Sequence, residues 1–140
     1  MLETPHVIVG AAIGLKAVNP VLAIPLAFAS HFILEKVPHW NPHLNTEKKK
    51  FGHPTAKSTA IVIVDSLVAL TLGSLVAFSA LPNGTLALTI LASCFAAALP
   101  DLFEAPYYFL NHKSELIEKI WLPFKKYLQV YTGLVPGLFT

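Results

Sequence analysis

The chain has no arginine, a single cysteine and few charges, and each shortage closes off a class of function. All ten basic residues are lysines, so the planar guanidinium fork best suited to phosphate recognition is missing. A phosphorylated substrate has to be held by lysine, backbone donors or metal. The lone Cys94 excludes an internal disulfide, and in its apolar run it reads as packing rather than thiol redox chemistry. Charged residues make up 13% of the 140, against roughly 25% in a soluble domain. With 54% hydrophobic residues and a mean hydropathy of +0.60, the balance is that of a small integral membrane protein with one domain. A net charge of only +2 and the lack of any groove-reading motif argue against a nucleic-acid partner. There is also no phosphate-binding glycine loop, no zincin His-Glu-x-x-His and no serine nucleophile elbow. The stretch up to Pro5 carries Glu3 and no Lys or Arg, so the first helix is expected to be retained rather than cleaved as a signal.

Against these absences stand four apolar segments. The first runs from about Thr4 to Val18, with Thr4 as cap and Pro5 in the first turn, and the second from Pro20 to about Val37, ended by Pro38. The third, about Ser58 to Leu81, has the roughly 20 residues that cross a bilayer core. The fourth runs from near Gly84 to about Glu104, with Pro100 as a kink and Pro106 as a stop. The expected fold is an all-α integral membrane bundle of four transmembrane helices over residues 1–110, with a connecting loop at 38–56. Residues 111–140 then form an amphipathic tail on the membrane surface, with Leu116, Ile117, Ile120, Trp121, Phe124 and Leu128 set against Glu118, Lys119, Lys125 and Lys126. A re-entrant hairpin of the two short first segments is the alternative. A faint repeat, Ala29 to Glu35 against Leu99 to Glu104, suggests two related hairpins. Lysines at 36, 48 to 50 and 57 flank one connection while the turn at Pro82 is uncharged, which places the N-terminus, the 38–56 loop and the tail in the cytoplasm, and the protein in the plasma (inner) membrane.

Ionisable residues inside apolar helices are costly and by default mark function. His6, His31, Glu35, Asp65, Asp101 and Glu104 all fall at one level of this topology, the cytoplasmic half. His31 and Glu35 are four apart, with His39 another four on, and Asp101 and Glu104 are three apart, so each set shares a helical face. Imidazole with carboxylate suits Zn, Mn or Fe, and four carboxylates would be neutralised by two divalent ions, so one or two transition-metal ions are expected. Glu104 or Asp65 is the candidate general base. His43, His53 and His112 read as solvated. Gly10 and Gly14 lie on the face of His6 and allow another ligand-bearing helix to approach it closely.

Thr4-Pro5-His6 with Gly10, Ser30-His31 through Glu35 to Pro38-His39, and Leu99-Pro100-Asp101 resemble a family of small multi-span proteins described as inner-membrane metal-dependent hydrolases, distantly related to zinc-dependent phospholipase C. The chain departs from that pattern in having Glu35 where Asp is usual and in lacking Asp-x-Asp-His after Pro100. The resemblance implies metal ligands at His6, His31, Glu35 and Asp101 and hydrolysis of a lipid or phosphoester. Two other classes stay open: a small proton or metal-ion carrier, and a structural subunit of a larger membrane complex. The expected partners are membrane lipids, with a homo-oligomer or larger complex left open.

Overall fold

The computed structural model describes residues 2–112 and 114–130, and among these six α-helices follow one another with no β-strand. Helices α1 (Glu3–Ala17) and α2 (Pro20–Leu34) form an N-terminal hairpin. The reversal between them is tight because Val18 adopts a positive φ of 59° and the Asn19 side chain accepts the Val21 backbone N–H at 2.9 Å, while Pro20 starts the next helix where no donor is needed. A short α3 (Leu44–Phe51) lies within the polar connection. Helices α4 (Ala56–Ser79) and α5 (Gly84–Phe109) begin at side-chain caps: Thr55 accepts from the Ser58 N–H and Asn83 from the Leu86 N–H. A π-helical turn, Ile117–Trp121, leads into α6 (Leu122–Leu128).

The expectation of four transmembrane helices is corrected to two. Only α4 and α5 are long and apolar enough to cross a membrane, with mean hydropathies of 2.3 and 1.9 over their most apolar stretches. The Asn19-Pro20 turn and the end of α2 before Glu35 limit the first two helices to 15 residues each, about 22 Å of helix against roughly 30 Å of hydrocarbon. The fourth segment also differs at its end, since α5 passes through Pro106 and continues to Phe109. A proline removes only its own donor, and the Pro106 carbonyl still receives the Leu110 and His112 N–H groups at 3.0 and 3.1 Å.

Helix α5 is the centre of the bundle, packed against α1, α2 and α4. Its closest neighbour is α1, and the reason is the pair Gly10 and Gly14. A Cβ added at Gly10 would lie 2.7 Å from the Ser93 carbonyl oxygen, and one at Gly14 would lie 2.8 Å from the Ile90 Cα. The close approach read from Gly-x-x-x-Gly is thus made within the chain, to the helix that carries Asp101. Around this contact Val7, Ala11, Ala69, Ala77, Ile90, Cys94 and Ala98 form the core, small residues that let backbones approach. The outer face of α4 is apolar and exposed at Leu67, Leu70, Leu75 and Phe78.

The C-terminal segment folds back over one end of the bundle. Its Val130 N–H donates to the Glu35 carbonyl and the His39 N–H donates to the Val130 carbonyl, both at 3.1 Å. Ile117 packs against Tyr107 and Tyr108 of α5. The amphipathic face read from the sequence is therefore spent against the protein as well as facing outward, where Tyr127 remains exposed. Residues 131–140 of the predicted tail lie outside the described residues.

Candidate metal centre

Three helices converge at the end of the bundle covered by the C-terminal segment. Helix α1 supplies His6 from its first turns, α2 supplies His31 with Glu35 just past its end, and α5 supplies Asp101. One ligand atom from each of these four lies within 4.8 Å of the others, close enough to hold a single metal ion. His6, His31 and Glu35 have no exposed surface at all.

The distances describe a cluster that is close without being closed. Glu35 Oε1 is 3.3 Å from His6 Nε2, Asp101 Oδ2 is 4.0 Å from the same nitrogen, and Asp101 Oδ1 is 3.8 Å from His31 Nε2. The imidazoles of His6 and His31 stack with centroids 3.9 Å apart and planes 17° from parallel, so both present an edge to the same space. His31 Nδ1 is 2.8 Å from the Ala97 carbonyl oxygen. A carbonyl only accepts, so Nδ1 carries the proton and Nε2 keeps its lone pair toward the cluster, the tautomer a metal ligand needs. Nε2 itself is buried with no hydrogen-bond partner. A buried unsatisfied acceptor costs free energy, and a cation among these four groups removes that cost. The donor set of two imidazoles and two carboxylates fits a metal ion on this observation.

The remaining sequence-predicted residues stand around the four rather than among them. His39 backs Glu35, with Nε2 3.8 Å from Glu35 Oε2 and Nδ1 donating to the Val37 carbonyl at 2.6 Å. Asp65 is taken up by the start of α1: its Oδ2 accepts the backbone N–H groups of Glu3 and Thr4 at 2.5 and 3.2 Å. Leu2 offers no side-chain cap, so this carboxylate from α4 satisfies the orphan donors and meets the positive end of the helix. Glu104 accepts from Trp121 Nε1 at 2.8 Å and from Lys125 Nζ at 3.1 Å. His43, His53 and His112 are exposed.

Two residues of the site escaped the sequence reading. Lys125, only 4% exposed, hydrogen-bonds Asp101 and Glu104 together. Burial alone would lower its ammonium, but Asp101 and then Glu104 reverse that and hold it above its ordinary value. A signal was present, since Ile117, Trp121 and Lys125 recur every four residues and place the lysine on the apolar face of the tail. Glu3 is the second, lying within hydrogen-bonding reach of Asp101. No spacing links Glu3 to Asp101, and only the α1–α5 contact brings them together.

Asp101, Glu104 and Lys125 also form part of the wall of a cavity of about 370 Å³, whose far side is built from the connection around Asn41 and from Lys49 and Lys126. The four-residue cluster therefore meets open space on its Asp101 side, where that side chain is 18% exposed. Compared with family models, with curated proteins and with solved structures, the chain matches none.

Proposed function

We propose that this protein is a membrane-embedded, metal-dependent hydrolase that cleaves a lipid or phosphoester at the cytoplasmic side of the inner membrane. The observation that carries the reading is the buried His6, His31, Glu35 and Asp101 cluster with its Asp101 edge open to a cavity. A metal held only for stability has no need of that opening, whereas a hydrolytic one must admit water and substrate. A bound Zn, Mn or Fe ion would supply Lewis acidity and would lower the pKa of a water toward neutrality.

The chain's own residues fill the other roles. Asp101 is shared between the ligand set and Lys125, which neutralises the Asp101 and Glu104 pair from the tail. This ammonium takes the place of a second cation, so one divalent ion per chain is the expected content rather than two. Glu3 lines the cavity wall beside Asp101, and burial with the Asp101 charge pushes its carboxyl up to about 9, so it is placed to donate a proton there; the general-base role read from sequence at Glu104 or Asp65 falls on oxygens engaged by Trp121 and Lys125 and by the start of α1. The apolar exterior of α4 and α5 supports a bilayer setting, and the lysines of the 36–57 region lie at the metal-centre end, which favours a cytoplasmic orientation. The core toward the opposite end is built of Ala11, Ala69, Ala77 and Ile90 with Thr89 and Ser93 as its buried polar groups, and among the described residues it holds no buried charge of the kind a carrier path needs.

Elemental analysis of purified protein after reconstitution with Zn, Mn and Fe tests the reading. One ion per chain is expected, lost in His31→Ala and kept in His43→Ala. Metal-free protein under all three conditions would return the site to a proton relay or a structural network.

A further inference from the structure

A second concavity lies between α4 and α5, floored by Val7, Ala69, Gly73, Cys94 and Ala98 and holding about 240 Å³. It is floored by small side chains, and it opens beside Leu70, Leu91 and Phe95, which are 67%, 42% and 59% exposed on the apolar exterior. Along α4 it extends from Ser66 to Ser74, about 12 Å at 1.5 Å per residue. A helix about 10 Å across would need several times that volume over the same length. One extended hydrocarbon chain fits such a slot.

This groove and the polar cavity are neighbours that share Glu3, Ser66 and Leu102 in their walls. On one side of that junction the lining is hydrocarbon with Ser66 and Ser74 as its neutral polar groups, and on the other it is ionic. Three of the four carboxylates of the ionic half are engaged, Asp101 and Glu104 by Lys125 and Asp65 by the start of α1, while Glu3 stands at the junction itself. Lys49 and Lys126 have no carboxylate partner among the described residues, so the cavity retains two ammonium groups for an anion. We propose that the two concavities are one binding site for a long-chain anionic phospholipid, with its phosphate beside Lys49 and Lys126 next to the metal centre and one acyl chain in the α4–α5 groove. The inference rests on the hydrolase reading only for what happens after binding; the ligand enters sideways from the bilayer through the apolar mouth of the groove.

Binding is tested without turnover, on metal-free protein in uncharged detergent, by displacement of a pyrene-tailed phosphatidylglycerol. Unlabelled dioleoyl-phosphatidylglycerol is expected to compete about tenfold better than dioleoylglycerol, which lacks the phosphate, and than glycerol phosphate, which lacks the chains. Ser66→Trp fills the junction and should weaken the long-chain lipid by about tenfold while zinc content stays at wild-type level. Ser74→Trp shortens the groove from its far end and should shift preference toward dihexanoyl-phosphatidylglycerol. Lys49→Ala with Lys126→Ala should bring the phospholipid down to the level of dioleoylglycerol. Equal competition by dioleoylglycerol would reduce the site to an apolar slot, equal competition by glycerol phosphate would reduce it to a phosphate pocket, and indifference to both tryptophans would place the lipid elsewhere; each result overturns the proposal. Because zinc binding is read separately, loss of the lipid site with the metal retained leaves a hydrolase of soluble phosphoesters, and loss of the metal with the lipid retained leaves a lipid-binding protein.

Discussion

His31 owes its role to one carbonyl. The Ala97 oxygen fixes the proton on Nδ1, and the other nitrogen is left buried and aimed at Asp101. With Nδ1 donating to the Val37 carbonyl, the His39 ring keeps a lone pair on Nε2, 3.8 Å from Glu35 Oε2, and packs beside that ligand rather than orienting it; His39→Ala should leave metal affinity within about tenfold of wild type, as a zinc titration would read. The carboxylates allow a sharper test. Glu35→Gln and Asp101→Asn keep shape and remove charge, so neither should unfold the bundle, but both should abolish most of the metal-dependent rise in Tm. Equal stabilisation of wild type and both variants by zinc would take these two residues out of the centre. All four members of the cluster were legible in the sequence because each is an ionisable group in an apolar run. The same cost argument also selected Asp65 and Glu104, and it cannot separate a ligand from a helix cap, because a helix N-terminus relieves a buried carboxylate as well as a cation does.

The geometry of those side chains depends on two helices being almost in backbone contact. Gly10 and Gly14 set the α1–α5 distance, and with it the distance from His6 to Asp101. Gly10→Val places atoms where the Ser93 carbonyl and Ala97 now sit; a loss of about 1 to 3 kcal/mol is expected from overpacking, accompanied by loss of the metal. Thermal unfolding with and without zinc separates the two effects. In the connection, α3 is tied to the start of α4 by Glu47, which accepts the Thr55 N–H and the Ser58 hydroxyl, both at 2.7 Å. Its slight burial works the other way, but the Thr55 and Ser58 hydrogen bonds hold Glu47 below the ordinary carboxylate range. A depressed carboxylate contributes stability above its unfolded pKa and loses it as pH falls through the folded value. The protection factor of the Thr55 amide, its exchange rate relative to that of the unstructured peptide at the same pH, should therefore fall on acidification below the normal carboxylate range in wild type, and should be insensitive to pH over that range in Glu47→Gln. The long apolar elements were readable from length and hydropathy, whereas α3 was read as loop because its polar composition carries no burial signal.

The C-terminal segment closes the structure over the site. Lys125 reaches back to Asp101 and Glu104, and the chain beyond it is hydrogen-bonded to Glu35 and His39. Lys125→Met would leave two largely buried carboxylates without their cation, at a cost of about 3 kcal/mol in metal-free protein. The same variant should take up a second divalent ion where the wild type takes one, so stoichiometry and Tm are measured together; an unchanged Tm and one ion would make the lysine incidental. The arrangement in the bilayer is testable on the same scale. A cysteine at Asn83 should be labelled from outside intact cells and one at Thr46 only after permeabilisation, with the native Cys94 silent because it is buried. The reverse pattern would overturn the orientation.

Composition and placement alone determined that this chain is helical, apolar and equipped with a small set of acids and histidines at one level, because those properties follow from local hydropathy and from the cost of charge in hydrocarbon. Helix length, α1 against α5 at their glycines, and the return of the tail decided the rest. Two helices instead of four reach the length of a membrane span; Asp65 serves α1; and a lysine from the tail meets Asp101 and Glu104, two of the carboxylates read as metal ligands. Those outcomes depend on which residues meet across 24 to 95 positions of sequence, as Lys125 meets Asp101 and His6 approaches Asp101, and no periodicity within a single helix encodes such a meeting.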